Sequence, residues 1–174
     1  MPLQSSQHHD GVLMPTSPRP RKAQPERQVE EALLFRVFNE IGIVDQLAGT
    51  AFERVLPHGL TRAQFTVLNH CVRLGDNKTP GELASAFQLT RGTLTSTLAR
   101  LEGKGFITLS ANPDDGRSKR VLLTKKGRAA REDCVKAAWP LLTRSRAALT
   151  RDEFEQLLPI MEKLRQWLDE NRDE

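Results

Sequence analysis

The sequence predicts a mainly α-helical protein with one small β-hairpin, and three observations carry that expectation. Apolar residues recur at helical spacing over most of the chain beyond Glu26, most plainly at Leu94, Leu98 and Leu101. Three helix starts are written as capping boxes, Thr61 with Gln64, Thr79 with Glu82, and Thr150 with Glu153, in which the threonine hydroxyl and the later side chain satisfy each other's free backbone N–H groups. Strand-like runs are confined to residues 106–109 and 121–123, on either side of a turn-rich tip.

Taken in order, residues 1–25 hold five of the ten prolines and little that could pack, which predicts a disordered arm. His8 and His9 lack carboxylate or cysteine neighbours and read as a solvated pair, not a metal site. Ser17-Pro18-Arg19-Pro20-Arg21-Lys22 is a basic patch that suits phosphates and a plain linker equally well. Residues 26–57 form a long helix whose apolar stripe (Val29, Leu33, Val37, Ile41, Val44, with Leu34, Phe38 and Phe52 beside it) is too broad to be hidden by one small domain. Pro57-His58-Gly59 ends it. The Thr61 box then starts a central helix to about Leu74, with Phe65, Val67, Leu68, Cys71 and Val72 on more than one face.

From Thr79, Pro80 at the first helical position and the apolar Leu83, Ala84 and Phe87 make a short helix, and Gln88-Leu89 turn the chain. Thr90 caps the next helix, which ends at Gly103-Lys104-Gly105. The face opposite its leucines is small and polar, so it can lie close against a partner. After the hairpin, Thr124 caps a helix through Ala130, Val135, Ala138 and Trp139 to about Leu149, with a kink expected near Ala137 because Pro140 lacks a donor. The Thr150 box opens a last helix with Phe154, Leu157, Leu158, Met161, Leu164 and Leu168 on one side and acidic residues on the other. Helix, turn, helix and a basic-tipped hairpin give a winged helix-turn-helix domain over 60–128, its second helix sized for a major groove. The surplus apolar helix at 26–57 and 129–172 reads as dimerisation helices.

Charge agrees with this division. Between residues 90 and 131 ten basic side chains oppose only Glu102, Asp114 and Asp115, a net +7 in a chain whose total is +4, so the remainder carries −3. A polyanion explains that concentration better than a solvated face of mixed sign.

The segment resembles the DNA-binding domain of the MarR family of bacterial transcription regulators. The residues that carry the resemblance are Leu60-Thr61-Arg62-Ala63-Gln64-Phe65, the run from Thr93 to Glu102, Lys104-Gly105-Phe106-Ile107, the D-x-R wing Asp115-Gly116-Arg117, and Leu123-Thr124-Lys125-Lys126-Gly127. The resemblance implies a regulator that binds double-stranded DNA as a homodimer with interleaved terminal helices. It also implies that Arg117 enters the minor groove while Asp115 braces the hairpin. The candidate DNA contacts are Arg91, Thr93, Thr95, Ser96, Thr97, Arg100 and Lys104 around the reading helix, Asp115, Arg117, Lys119 and Arg120 on the wing, and Lys125 and Lys126 after it. Thr95 and Thr97 lie nearer the buried stripe, which suits a phosphate or capping role. Many relatives have a larger polar residue where this chain has Ser96, so base preference does not carry over. The family often binds small aromatic effectors between the two kinds of helix, and Phe38, Phe52, His70 and Trp139 are the candidates for such a pocket here, with plain core packing as the alternative.

Other classes fit less well. A winged-helix protein-interaction module would need an acidic partner for a charged surface of a kind interface cores usually lack. Adjacent Asp114 and Asp115 in a tight turn point apart, and no phosphate loop, H-E-x-x-H or G-x-S-x-G is present, so no enzyme and no cofactor are expected. Cys71 and Cys134 have neither zinc spacing nor the placement of the family's redox-responsive members, whose reactive cysteine lies early in the first helix near tyrosines. This chain has no tyrosine. With no apolar run of membrane length and no signal-peptide pattern, a reducing cytoplasm is the expected location.

Overall fold

The computed structural model describes residues 25–113 and 115–172. The expected arm at 1–25 lies outside them except for Pro25. The chain divides into two units, Met1–Gly42 and Ile43–Glu174. Helix α1 (Pro25–Val55) begins in the first and ends in the second. In the first unit its apolar residues are bare: Val29, Leu33, Leu34, Phe35, Val37 and Phe38 are all exposed, Phe35 at 72%.

The second unit is built on α2 (Arg62–Leu74), α3 (Pro80–Ala86), α4 (Arg91–Gly103), β1 (Ile107–Asn112), β2 (Asp115–Leu123), α5 (Lys125–Arg144) and α6 (Arg151–Glu170). All three capping boxes form, and Thr90 and Thr124 cap α4 and α5 by accepting from the N–H groups of Thr93 and Gly127. The turn between α3 and α4 places Gln88 at φ 51°, and Gly105, at φ 72°, lets the chain leave α4 in the left-handed region that glycine tolerates. The core gathers Val67, Leu68 and Cys71 of α2, Leu83 of α3, Leu94, Leu98 and Leu101 of α4, Phe106, Ile107 and Val121 around the hairpin, and Ala130 and Cys134 of α5. Burying each of the leucines contributes about 1.5–3 kcal/mol.

Two expectations need correction. The hairpin strands run much further into the tip than residues 106–109 and 121–123. Pairing continues from Ile107↔Leu123 to Asn112↔Asp115 with an irregularity between Ala111 and Asn112, because polar tip residues bond to one another across it. Helix α5 stops at Arg144, short of Leu149, and a 3₁₀ turn follows at Ser145–Ala147. The stripe α5 turns inward is Gly127, Ala130, Cys134 and Ala138, while Trp139 is 63% exposed. Small residues there bring the helix close to the body. A Cβ on Gly127 would overlap the Phe106 carbonyl, which explains why glycine stands at that position. On α6 no side chain is buried, and Leu157, Leu158, Ile160, Trp167 and Leu168 face outward.

Candidate nucleic-acid interface

Helix α4 owes its orientation to its leucines. With Leu94, Leu98 and Leu101 fully inward, the 3.6-residue period carries Thr93, Ser96 and Arg100 outward, and all three are exposed. The Thr90 and Thr93 hydroxyls lie 2.8 Å apart at the start of the helix. The Thr95 and Thr97 hydroxyls donate back to the Arg91 and Thr93 carbonyls at 2.7 and 3.1 Å. Thr95 is nonetheless exposed, and with Arg91, Ala99, Arg117 and Lys119 it lines a cleft of about 770 Å³ between α4 and the wing.

The wing is braced from within. The Asp115 carboxylate accepts from the Arg117 backbone N–H at 3.0 Å, the Ser118 hydroxyl donates to the Asp115 carbonyl at 3.2 Å, and Asn112 donates to Ser118 at 2.7 Å. These bonds leave the Arg117 guanidinium outside, where it meets no partner among the described residues. At the root of the wing, Glu102 of α4 accepts from the Leu109 N–H at 3.0 Å, tying the hairpin to the helix.

The sequence treats ten cations alike, and the structure separates them. Arg120 turns inward: its Nε donates to Asn112 at 2.9 Å, its Nη1 to the Asn77 carbonyl at 2.9 Å, and Glu82 lies 3.9 Å away. Lys104 donates to the His58 carbonyl at 3.2 Å and to the Gly59 carbonyl, clasping the loop before α2. Lys126 donates to the Lys104 carbonyl at 2.8 Å with its ammonium 5.1 Å over the Phe106 ring, and Arg131 holds Asn69. Arg91, Arg100, Arg117, Lys119, Lys125 and Arg128 are exposed, and their side chains make no hydrogen bond or ion pair among the described residues. Glu102, Asn77 and Asn112 are the structural partners that sequence reasoning passed over. Asn112, only 6% exposed inside a polar tip, carried no sequence signal.

Of the aromatic positions singled out for a pocket, the three in the second unit do not share a cleft. Phe52 packs edge-on against Phe65 with centroids 4.8 Å apart and borders a 400 Å³ cleft with Leu141 and Leu142. His70 packs edge-on against Phe87 at 5.0 Å and borders a different, 250 Å³ cleft. Trp139 is largely exposed, and Phe38 belongs to the first unit, 46% exposed. A further cleft, of about 470 Å³, lies behind α4 and is lined by Glu53, Arg62, Thr66, Phe87, Leu94 and Thr97 among others. Burial, then the Lys78 and Arg73 charges, lowers the His70 pKa. Burial, then Asp76, pushes the Cys71 thiol up to about 11, and burial, then Asp133, raises Cys134. Both thiols are buried and in the protonated, poorly nucleophilic form. Among the described residues no group of histidine, cysteine or carboxylate side chains could hold a metal, and no helix is long and apolar enough to cross a membrane.

A family model described as MarR family matches residues 58–118. Among solved structures the chain is similar to wild-type MarR of E. coli in its apo form, with 33% identity over 72% of this chain and 94% of that chain and a TM-score of 0.65. A mutant of the same E. coli protein complexed with operator DNA shows 32% identity over 75% of this chain and 94% of that chain, with a TM-score of 0.64. An organohalide-sensing transcriptional regulator in its 2,4-dichlorophenol-bound form shares 22% identity over 79% of this chain and 82% of that chain at a TM-score of 0.65, a likeness of fold alone.

Proposed function

The chain belongs to the MarR family of DNA-binding transcription regulators, and from that premise we propose that it is a ligand-responsive repressor gripping a pseudo-palindromic operator as a homodimer. The observation that carries the reading is the partition of cations. Those whose side chains have no partner among the described residues, Arg91, Arg100, Arg117, Lys119, Lys125 and Arg128, all belong to α4, the wing or the first turn of α5. In this reading α4 enters the major groove with Ser96 and Arg100 toward base edges. Arg117 reaches the neighbouring minor groove, and Lys119 and Lys125 hold phosphates, which position the protein without reading sequence. Thr93 and Thr95 approach the backbone at the groove edge. Lys104, Arg120 and Lys126 serve by keeping the helix and the wing in place.

The dimer follows from surface that a single copy leaves bare. Helix α6 buries no side chain, and α1 exposes Leu33, Phe35 and Phe38. Contiguous apolar patches of this kind mark interaction sites, and a two-fold pairing covers the same patch on both copies. An effector of the class that the organohalide-sensing relative binds would enter the 470 Å³ cleft behind α4. Leu94 and Thr97 form part of its wall, so occupancy there moves the reading helix itself.

The test is binding of the full chain to mixed-sequence duplex at rising salt, alongside its mass by light scattering. The expected mass is twice that of one chain. With roughly 6–10 phosphate contacts per dimer, affinity should fall about 10³–10⁵-fold between 50 and 200 mM salt. An affinity flat over that range would assign the basic surface to an acidic protein partner instead.

A further inference from the structure

Among the described residues, one polar side-chain tie joins the start of α2 to the carboxy-terminal half of α1. Arg62 is the first residue of α2, and its guanidinium donates to the Asp45 carboxylate of α1. It lies across Gly49, one turn further along α1, so closely that a Cβ on Gly49 would overlap it. Gly49 is buried in spite of having no side chain to contribute. Glycine is unfavourable inside a helix, and the close approach of Arg62 supplies the reason it stands there. Asp45, Gly49 and Phe52 are spaced i, i+4 and i+7, which puts them on one face of α1. Phe52 meets Phe65 of α2 edge-on at 4.8 Å, and Arg62 lines a cleft together with Asp45, Gly49 and Phe52.

The ion pair is poorly placed to add stability. The Arg62 and Asp45 side chains are 43% and 62% exposed, and exposed pairs contribute little. Geometry is what it fixes. The loop between the two helices is already held to the end of α4 by Lys104 on the His58 and Gly59 carbonyls, so the direction of α1 is the freedom that remains.

We propose that Arg62 is a positioning residue for operator recognition: by pairing with Asp45 across Gly49 it sets the direction in which α1 leaves the winged body, and so the separation of the two reading helices. The inference rests on the homodimer reading above, because only in a dimer joined through α1 does that direction become a half-site spacing. A small rotation at the root of α1 is multiplied along the helix and misplaces one α4 relative to the other.

The experiment uses the full-length chain and the duplex it selects from a random pool, together with derivatives in which base pairs are added or removed between the half-sites. Three variants act on the tie from different sides: Arg62→Ala removes the guanidinium, Asp45→Asn removes its anchor, and Gly49→Ala displaces it while favouring the helix. All three should remain dimers with near-native melting. They should lose roughly fivefold to a hundredfold on the best-spaced duplex, the size of one mismatched base pair, and discriminate less among spacings. The exchanged pair Asp45→Arg with Arg62→Asp should recover part of the spacing preference. Wild-type affinity and spacing preference in all three variants would overturn the proposal. So would a loss confined to Arg62→Ala and equal on every duplex, which marks a phosphate contact. A monomeric wild type would overturn the dimer reading and this inference with it, and light scattering reports that outcome separately from the spacing series.

Discussion

Replacing Arg120 and Arg117 with alanine in separate variants asks how the two arginines of the wing divide their work. Among the described residues Arg120 donates two bonds of 2.9 Å, to the Asn112 side chain and the Asn77 carbonyl, with Glu82 at 3.9 Å, and its side chain is only 20% exposed. Its removal deletes two charge-assisted bonds and strips a partner from Asn112, which is 6% exposed. Hydrogen bonds to charged groups contribute about 1.5–3 kcal/mol each, and part of that returns as water enters, so a net loss of about 2–3 kcal/mol is expected. For a chain of this length that lowers the melting temperature by roughly 5–10 °C. Arg117 has no such partners among the described residues, so Arg117→Ala should stay within about 0.5 kcal/mol of wild type in stability. It should instead weaken operator binding by about 1–3 kcal/mol, most on A·T-rich sequence beneath the wing, where a narrow minor groove favours an inserted guanidinium. Differential scanning calorimetry and duplex titration on the same two proteins separate the roles. An Arg120→Ala protein that melts like wild type and loses only affinity would refute the assignment of Arg120 to the scaffold.

Three further outcomes follow from the packing and titration of the second unit. Gly127→Ala should destabilise by about 3 kcal/mol, the upper range for overpacking, because its Cβ meets the Phe106 backbone, which cannot swing aside; chemical denaturation would show it as a lower midpoint at unchanged slope. Cys71 and Cys134 should resist a thiol-specific reagent at pH 8 in the native protein and react fully in denaturant, whereas rapid native labelling would contradict their burial and raised pKa values. The folded-state pKa of His70 is lowered by burial, Lys78 and Arg73, so as pH falls below about 6.5 the unfolded chain takes up a proton that the folded one refuses. Stability should therefore decrease from that pH down to the folded pKa, and His70→Gln should flatten the slope of melting temperature against pH in that window.

Much of the fold was legible because its signals are local. A capping box needs only Thr61 and Gln64, and the inward face of α4 needs only the spacing of Leu94, Leu98 and Leu101. The extent of the hairpin was harder to read. Residues 110–120 are polar and turn-rich, and they pair because Asn112, Ser118 and Arg120 bond across the tip, which no alternation pattern announces. The buried face of α5 was legible only in part: Ala130 and Ala138 stand among the apolar positions the sequence marks, but close approach to the body also selects Gly127 and Cys134 and leaves Trp139 largely exposed.

The amino-acid sequence by itself determined the order of helices, the place of the wing and the concentration of basic residues between 90 and 131, since propensity, capping and periodicity act over a few neighbours. Only the tertiary structure decided which of those cations remain available. Lys104 finds its acceptors at His58 and Gly59, and Arg120 finds Asn77, partners 46, 45 and 43 residues away. A charged side chain is neutral about its partner until folding brings one within hydrogen-bonding distance. The same chain chemistry thus yields a scaffold strut at Arg120 and, three residues earlier at Arg117, a guanidinium with no partner among the described residues.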